Sequence, residues 1–417
     1  MKSEAGPAHP VRDAADPATQ IARAELSDRA VQILWQDGHS SLFHYLWLRY
    51  NCRSRNCGDP LSGVSDLRLT YFAPDIRPKK LEVTPDNRLH IVWIEEDAGC
   101  PECPGTVYDG HWLRAHCYSD AERARRRALN RPVLWDKEIG KDLPEVNYEF
   151  ALSGEDGQFA VLDDLYKFGF VRVRGGPTTQ DGLENVAKLA GIIMDTHFGK
   201  FFDIITKPAA QIVTDLPGHI SLHTDNTYRH NPTGIHFFQG VALAPGNGGA
   251  TILGDGFRIA EALRERDPDA FTLLTRTPQR FHRYLPERIA QYTEAPSISL
   301  DWEGEVCGFR YANRVTAAPL DLPEDLIEPM YLAQRKLVKL MDDPEFEVRF
   351  MIEPGDVLAY DNHRVLHGRT AFTETTTRRH LRRCATEREE FQSRYRLLSE
   401  KQGRDLGETP FARGALG

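Results

Sequence analysis

The sequence predicts a mostly β protein with flanking helices (α+β), made of a small β-rich N-terminal domain and a larger domain of sandwich or barrel type. Three observations lead there. From about residue 204 onward, short strand-like segments recur, punctuated by Gly and Pro, with a few helical patterns between them. Between about residues 30 and 118 the pattern is again short strands and turns, as in the alternating "RLHIVWIEED". Helical periodicity is confined to amphipathic stretches such as "GLENVAKLAGIIMDTHFGK".

Composition bounds the function. The chain has 417 residues, long enough for two or three domains and a sizeable core. It is 41% hydrophobic and 27% charged, and no run approaches the roughly 20 apolar residues of a membrane span. A net charge of −9 argues against nucleic acid as a partner. "MKSEAGPAHPVRDAADPATQ" lacks the apolar core of a signal peptide, so the expected location is cytoplasmic.

In chain order, residues 1–27 read as a disordered leader and 28–120 as the small β-rich domain, in which "HYLWLRYNC" and "GHWLRAHCY" each carry a Trp-Leu-Arg core. Residues 121–150, a charged helix and a Pro- and Lys-containing connector, read as a linker. Residues 151–400 form the larger domain. It opens with a helix running into a strand in "QFAVLDDLYKFGFVRVRG" and has further helices at "FRIAEALRERDPDAFTLLTRT" and "PEDLIEPMYLAQRKLVKLMDD". Residues 401–417 are a tail.

The chemistry centres on "SLHTDNTYRH", residues 221–230. Strand alternation puts Leu222, Thr224 and Asn226 on one face and His223, Asp225 and Thr227 on the other. An imidazole and a carboxylate on one side suit either a solvated outer face or a pair of metal ligands. "MIEPGDVLAYDNHRVLHGRTAF", residues 351–372, adds His363 and His367 behind a tight turn and an apolar strand. In a barrel, strands distant in sequence lie side by side. Two imidazoles and one carboxylate can then form a facial triad that leaves three metal positions open, the pattern of non-haem Fe(II) oxygenases.

"HTDN", "GGATILGDGF", "PGDVLAYDNHRVLHGR", "RRHL" and "HYLWLRYNCRSRNC" together resemble the γ-butyrobetaine hydroxylase branch of the 2-oxoglutarate-dependent oxygenases, relatives of taurine dioxygenase. The resemblance spans roughly residues 28–400. It implies a double-stranded β-helix (jelly-roll) core and the cofactors Fe(II), 2-oxoglutarate and O2, with succinate and CO2 as products. By position it implies His223, Asp225 and His367 as iron ligands, with His363 the competing histidine. Arg379 matches the arginine that clamps the distal carboxylate of 2-oxoglutarate, a role suited to a bidentate, permanently charged fork. Thr251 matches a hydroxyl at the same end.

The resemblance also implies a small zwitterionic substrate and, since relatives are commonly dimers, a homodimer. Phe198, Phe202 and Tyr228 fall where relatives place an aromatic cage for trimethylammonium. Two further cage positions are Asp215 and Ala385. At the anion end Asn313 is followed by Arg314, Arg383 lies four residues beyond Arg379, and Asn226 directly follows Asp225. This added charge suits a dianionic phosphonate, and "HTDN-x-Y" with Asn-Arg resembles enzymes of 2-(trimethylammonio)ethylphosphonate, which implies hydroxylation at the carbon next to phosphorus. The alternatives are a γ-butyrobetaine or trimethyllysine-type hydroxylase and a non-catalytic metal-binding barrel. Relatives bind zinc in the N-terminal domain through clustered cysteines. Here Ser54 replaces the middle one, and Cys52, Cys57, Cys100 and Cys103 supply four thiolates for a structural zinc site.

Overall fold

The computed structural model describes residues 16–59, 63–94, 103, 105–129, 131–205, 218–243, 248–372 and 379–404. The chain divides into two compact units, the first within residues 1–130 and the second spanning Arg131–Gln402.

In the first unit, β1 (Ile21–Leu26), β2 (Ala30–Trp35) and β3 (Ser40–His44) form an antiparallel sheet, followed by α1 (Tyr45–Tyr50). A short hairpin, β4 (Gly58–Asp59) and β5 (Val64–Ser65), precedes a second sheet of β6 (Pro78–Thr84), β7 (Arg88–Trp93) and β8 (Gly105–Asp109). Asp109 caps α2 (Gly110–Ala115) by accepting from the His111 and Trp112 amides. The inward-facing Val31, Ile33, Trp35, Leu89, Ile91 and Trp93 share one core, as alternation requires. α3 (Asp120–Leu129) closes the unit.

Two boundaries expected from sequence are corrected. The leader expected over 1–27 contains β1, which pairs with β2 from Ile21↔Trp35 to Leu26↔Val31. Four of its six residues, the apolar Ala22 and Leu26 among them, are exposed, so backbone pairing carries it and no buried face marks it. Residues 1–15 lie outside the described residues. The linker expected over 121–150 holds most of α3 and also β9 (Glu145–Asn147), which pairs in parallel with a strand of the main sheet. A three-residue strand is too short to show a period.

The second unit continues with α4 (Tyr148–Ala151), α5 (Glu155–Phe168), β10 (Phe170–Arg174), α6 (Gln180–Ala190), β11 (Phe202–Ile205), β12 (Ile220–His223), β13 (Ile235–Ala242) and β14 (Thr251–Asp255). α6 stops well short of the amphipathic stretch that suggested it. At Gly191 the backbone runs so close to Glu390 that a Cβ would come within 2.7 Å. The next helical stretch is two helices, α7 (Gly256–Arg266) and α8 (Pro268–Arg276). They break at Asp267, whose carboxylate caps α8 ahead of a proline in its first turn. The hairpins β15 (Gln279–Leu285)–β16 (Ile289–Ala295) and β17 (Ile298–Leu300)–β18 (Val306–Phe309) lead to α9 (Glu324–Met341). β19 (Val348–Phe350), β20 (Val357–Asp361), β21 (Val365–Arg369), β22 (His380–Thr386) and α10 (Arg388–Lys401) complete it.

Two sheets build the jelly-roll core. One has the order β11-β22-β13-β20-β10-β9 and the other β12-β21-β14-β19. Phe170, Leu358, Tyr360 and Leu381 of the first meet Leu253, Val348 and Val365 of the second in one apolar cluster. On the outer face of the smaller sheet, Leu222, Ile252 and Leu366 pack with α7, α8 and α9. Period-two alternation therefore sends the neighbours His223 and His367 inward. Among the described residues no helix is long and apolar enough to cross a membrane.

Candidate active site

His223 ends β12 and His367 sits in β21. The two are direct partners in the antiparallel register, with ring centroids 4.3 Å apart. Gly368 permits this approach, because a Cβ there would lie 2.5 Å from the Ile220 carbonyl oxygen. The strand expected through Asp225 ends at His223, and Asp225 starts a turn. Asn226 enters that turn at φ 55°, a left-handed conformation that asparagine tolerates better than most residues. Asn362 staples the turn in place: its Oδ1 accepts from the Asp225 amide at 2.7 Å, and its Nδ2 donates to the Asp225 and Thr233 carbonyls.

The donor atoms of His223, Asp225 and His367 lie within 4.8 Å of one another. His223 Nδ1 donates to the Ser221 carbonyl at 2.9 Å, which leaves Nε2 as the free lone pair, 3.6 Å from Asp225 Oδ1. Burial, then the His223 ring, hold His367 well below its ordinary pKa, so it is neutral, the form that ligates metals. Burial alone would raise the Asp225 carboxyl, yet Arg383 and the surrounding histidines hold it well below the usual value. Two imidazoles and a carboxylate converging in this way fit a divalent iron. His363 is elsewhere: its ring donates from Nε2 to the Pro232 carbonyl at 3.1 Å.

One cavity joins this cluster to Thr251, Arg369 and Arg379, and its apolar wall includes Ile204, Phe238 and Leu358. Arg379 is 7% exposed, and its Nε has no hydrogen-bond partner among the described residues. Burial and the neighbouring Arg369 guanidinium push Arg379 down to about 9. Two cations crowded into an apolar pocket favour an anionic ligand. Gly249, at φ 74°, brings its backbone against Arg379, where a Cβ would approach Nε at 3.4 Å.

The residues expected to face substrate divide. Arg383 lines this cavity, and its Nη1 donates to Asp225 Oδ2 at 2.7 Å. Phe202 and Phe238 flank it in register on the two neighbouring strands, and its guanidinium lies 5.7–5.8 Å from the ring centroids of Phe198, Phe202 and Phe238. Phe198 and Phe202 thus stack on an internal cation instead of forming a vacant ammonium cage. Asn226 and Tyr228 are buried and bonded to each other, the Tyr228 hydroxyl donating to Asn226 Oδ1 at 2.9 Å. Burial raises that phenol to about 12. Asn313 and Arg314 lie in an exposed turn just beyond Tyr311, which exchanges hydrogen bonds with Thr224. Asp215 lies outside the described residues, and Ala385 is buried opposite His236.

Sequence reasoning passed over Asn362, Arg369, Tyr360 and His236. His236 is 1% exposed, its Nδ1 lies 3.4 Å from Asp225 Oδ2, and burial takes it down to about 3. Only the "DNH" and "HGR" contexts could have drawn attention to the first two. His236 sits in an apolar strand without a local signal.

In the first unit, the sulfurs of Cys52, Cys57 and Cys103 lie within 4.8 Å of one another. The Cys52 and Cys103 sulfurs are 3.6 Å apart, and the hydrogen bond from Cys52 lowers the Cys103 thiol. Cys100 lies outside the described residues.

Residues 130–385 match the model of the taurine catabolism dioxygenase TauD, TfdA family, and residues 22–100 match the gamma-butyrobetaine hydroxylase-like N-terminal domain. The chain is 32% identical to the gamma-butyrobetaine dioxygenase of Pseudomonas sp. (strain AK-1), over 91% of this chain and 96% of that one. It is 28% identical to the Homo sapiens gamma-butyrobetaine dioxygenase, over 92% and 98% of the two chains. It is 30% identical to the mitochondrial trimethyllysine dioxygenase of Rattus norvegicus, over 79% and 77%. The chain belongs to the TauD, TfdA family and is a 2-oxoglutarate-dependent dioxygenase.

Proposed function

We propose that the chain hydroxylates a small trimethylammonium zwitterion, with Fe(II) held by His223, Asp225 and His367 and 2-oxoglutarate held by Arg379 and Thr251. The observation that carries this reading is the convergence of the three donors and the buried Arg379 on one cavity. When bound, iron supplies the activation of O2 at the expense of 2-oxoglutarate. The protein's own part is threefold. His223 and His367 offer imidazoles from a fixed register, Arg379 orients the cosubstrate by its distal carboxylate, and the apolar wall limits water.

For the substrate, the relatives' names favour a carboxylate betaine of the γ-butyrobetaine or trimethyllysine type. The adjacent Asn313 and Arg314, exposed beside the strand that carries His223, favour a second reading, a trimethylammonium phosphonate. Succinate release with Fe(II) and 2-oxoglutarate, measured against γ-butyrobetaine, trimethyllysine and 2-(trimethylammonio)ethylphosphonate, separates them. On the phosphonate reading Arg314→Ala lowers kcat/KM for the phosphonate at least about tenfold and affects the carboxylates less, because a carboxylate carries less charge to lose. Equal turnover of both classes, unchanged in Arg314→Ala, removes that reading.

The same proposal includes a structural zinc in the N-terminal unit on Cys52, Cys57 and Cys103, with Cys100 as the fourth thiolate from sequence. It also includes a homodimer in the cytoplasm, which sedimentation of the purified protein and cell fractionation check.

A further inference from the structure

The polar atoms of Asn226 and Tyr228 belong to a buried chain that leads to the Asp225 carboxylate. The Tyr228 hydroxyl donates to Asn226 Oδ1 at 2.9 Å, and Asn226 Nδ2 donates to Thr233 Oγ1 at 2.9 Å. Thr233 Oγ1 lies 2.5 Å from His236 Nε2, and His236 Nδ1 lies 3.4 Å from Asp225 Oδ2. All four residues of the chain are less than 9% exposed.

The chain has a direction. Tyr228 fixes the Asn226 amide with its NH2 toward Thr233. The Thr233 oxygen accepts that donor, and among the described residues its other partner is His236 Nε2, so its own proton is satisfied by that nitrogen. A neutral imidazole has one N–H, which then resides on Nδ1 and faces Asp225. The Tyr360 hydroxyl, 3.4 Å from the same Nδ1, shares that proton. Asp225 Oδ2 accepts from Arg383 at 2.7 Å with His236 Nδ1 3.4 Å away, and the two carboxylate oxygens face the ligand nitrogens, Oδ1 at 3.6 Å from His223 Nε2 and Oδ2 at 3.7 Å from His367 Nε2.

We infer that Tyr228, Asn226, Thr233 and His236 form a positioning chain that sets the His236 tautomer and thereby fixes the orientation of the Asp225 carboxylate at the metal site. A ligand carboxylate held by such outer partners meets the ion in a fixed orientation, which sets the affinity of the site. The inference rests on the reading that His223, Asp225 and His367 hold Fe(II).

The test uses the full-length chain with Co(II) as an air-stable probe for Fe(II). Nitrogen-15 NMR of histidine-labelled, metal-free protein, with the His236 signal assigned by its loss in His236→Gln, is expected to show the proton on Nδ1. Thr233→Val keeps the shape and removes the hydroxyl. It is expected to move the His236 proton toward Nε2 and weaken Co(II) binding roughly tenfold, with the circular dichroism spectrum unchanged. Thr233→Ser is expected to restore both to within about twofold of wild type. A wild-type proton on Nε2 overturns the inference, and so does Thr233→Val with unaltered tautomer and Co(II) affinity. If Thr233→Val does not fold, the wild-type tautomer decides alone. Failure of the iron reading shows differently, as wild-type protein that takes up no Co(II) while keeping the Nδ1 proton.

Discussion

Arg383 donates to Asp225 Oδ2 across 2.7 Å, tying β22 to the carboxylate of the three-donor cluster. The side chains are 17% and 19% exposed, and the guanidinium is walled by three phenylalanines. Removing one partner of such a buried pair leaves the other charge unpaired and costs about 3–5 kcal/mol. Arg383→Met is therefore expected to lose stability of that order in urea unfolding of the metal-free protein.

The pH dependence of that loss has a definite sign. In the wild type the Asp225 carboxyl is depressed below 3.8, so its contribution is present above that value and is lost only as pH falls through the still lower folded pKa. In Arg383→Met burial remains while the main depressing charge is gone. The carboxyl then rises, and protonation relieves the variant. The stability gap is expected to be widest near about pH 8 and to narrow toward about pH 4. A gap that widens on acidification contradicts this account.

The three donors make separable claims. Replacing His223, Asp225 or His367 by alanine is expected to abolish Co(II) uptake beyond that of the cysteine cluster, since two remaining ligands hold a labile divalent ion poorly. His363→Ala is expected to keep Co(II) affinity within about threefold of wild type and to lower Tm, because its ring bonds the Pro232 carbonyl and no donor of the cluster. Calorimetric titration and thermal unfolding check both. Metal loss in His363→Ala with retention in His367→Ala reverses the assignment.

Arg379 addresses the cosubstrate. Arg379→Gln removes a desolvated charge pair worth roughly 2–5 kcal/mol, so the KM for 2-oxoglutarate is expected to rise at least about tenfold. Arg379→Lys should recover part of this, keeping the charge and losing the fork. Succinate release at varied 2-oxoglutarate reads both, and an unchanged KM in Arg379→Gln moves the anion site elsewhere, with Arg369 the next position to test.

For the cysteine cluster, elemental analysis of purified protein is expected to find about one zinc per chain, lost when Cys57 and Cys103 are both replaced by alanine. Zinc that survives the double replacement places the metal on other ligands.

The sequence by itself carried the residues whose chemistry is declared by type and spacing: His223 and Asp225 in one short stretch, His367 in "LHGR", Arg379 twelve residues on, and the clustered cysteines. It also carried the faces, since the alternation that buries Leu222 and Leu366 against helices turns His223 and His367 inward. Partners were not legible. Local periodicity says which side of a strand a residue occupies and nothing about what lies across from it. Arg383 and Asp225 are 158 residues apart, and Asn362 reaches Asp225 over 137. Only the register of β11, β22 and β13 set Phe202 and Phe238 on either side of Arg383, filling with a guanidinium the place read as an ammonium cage. Likewise only the folded turn after His223, with Asn226 in a left-handed conformation, directed Asn226 and Tyr228 toward each other.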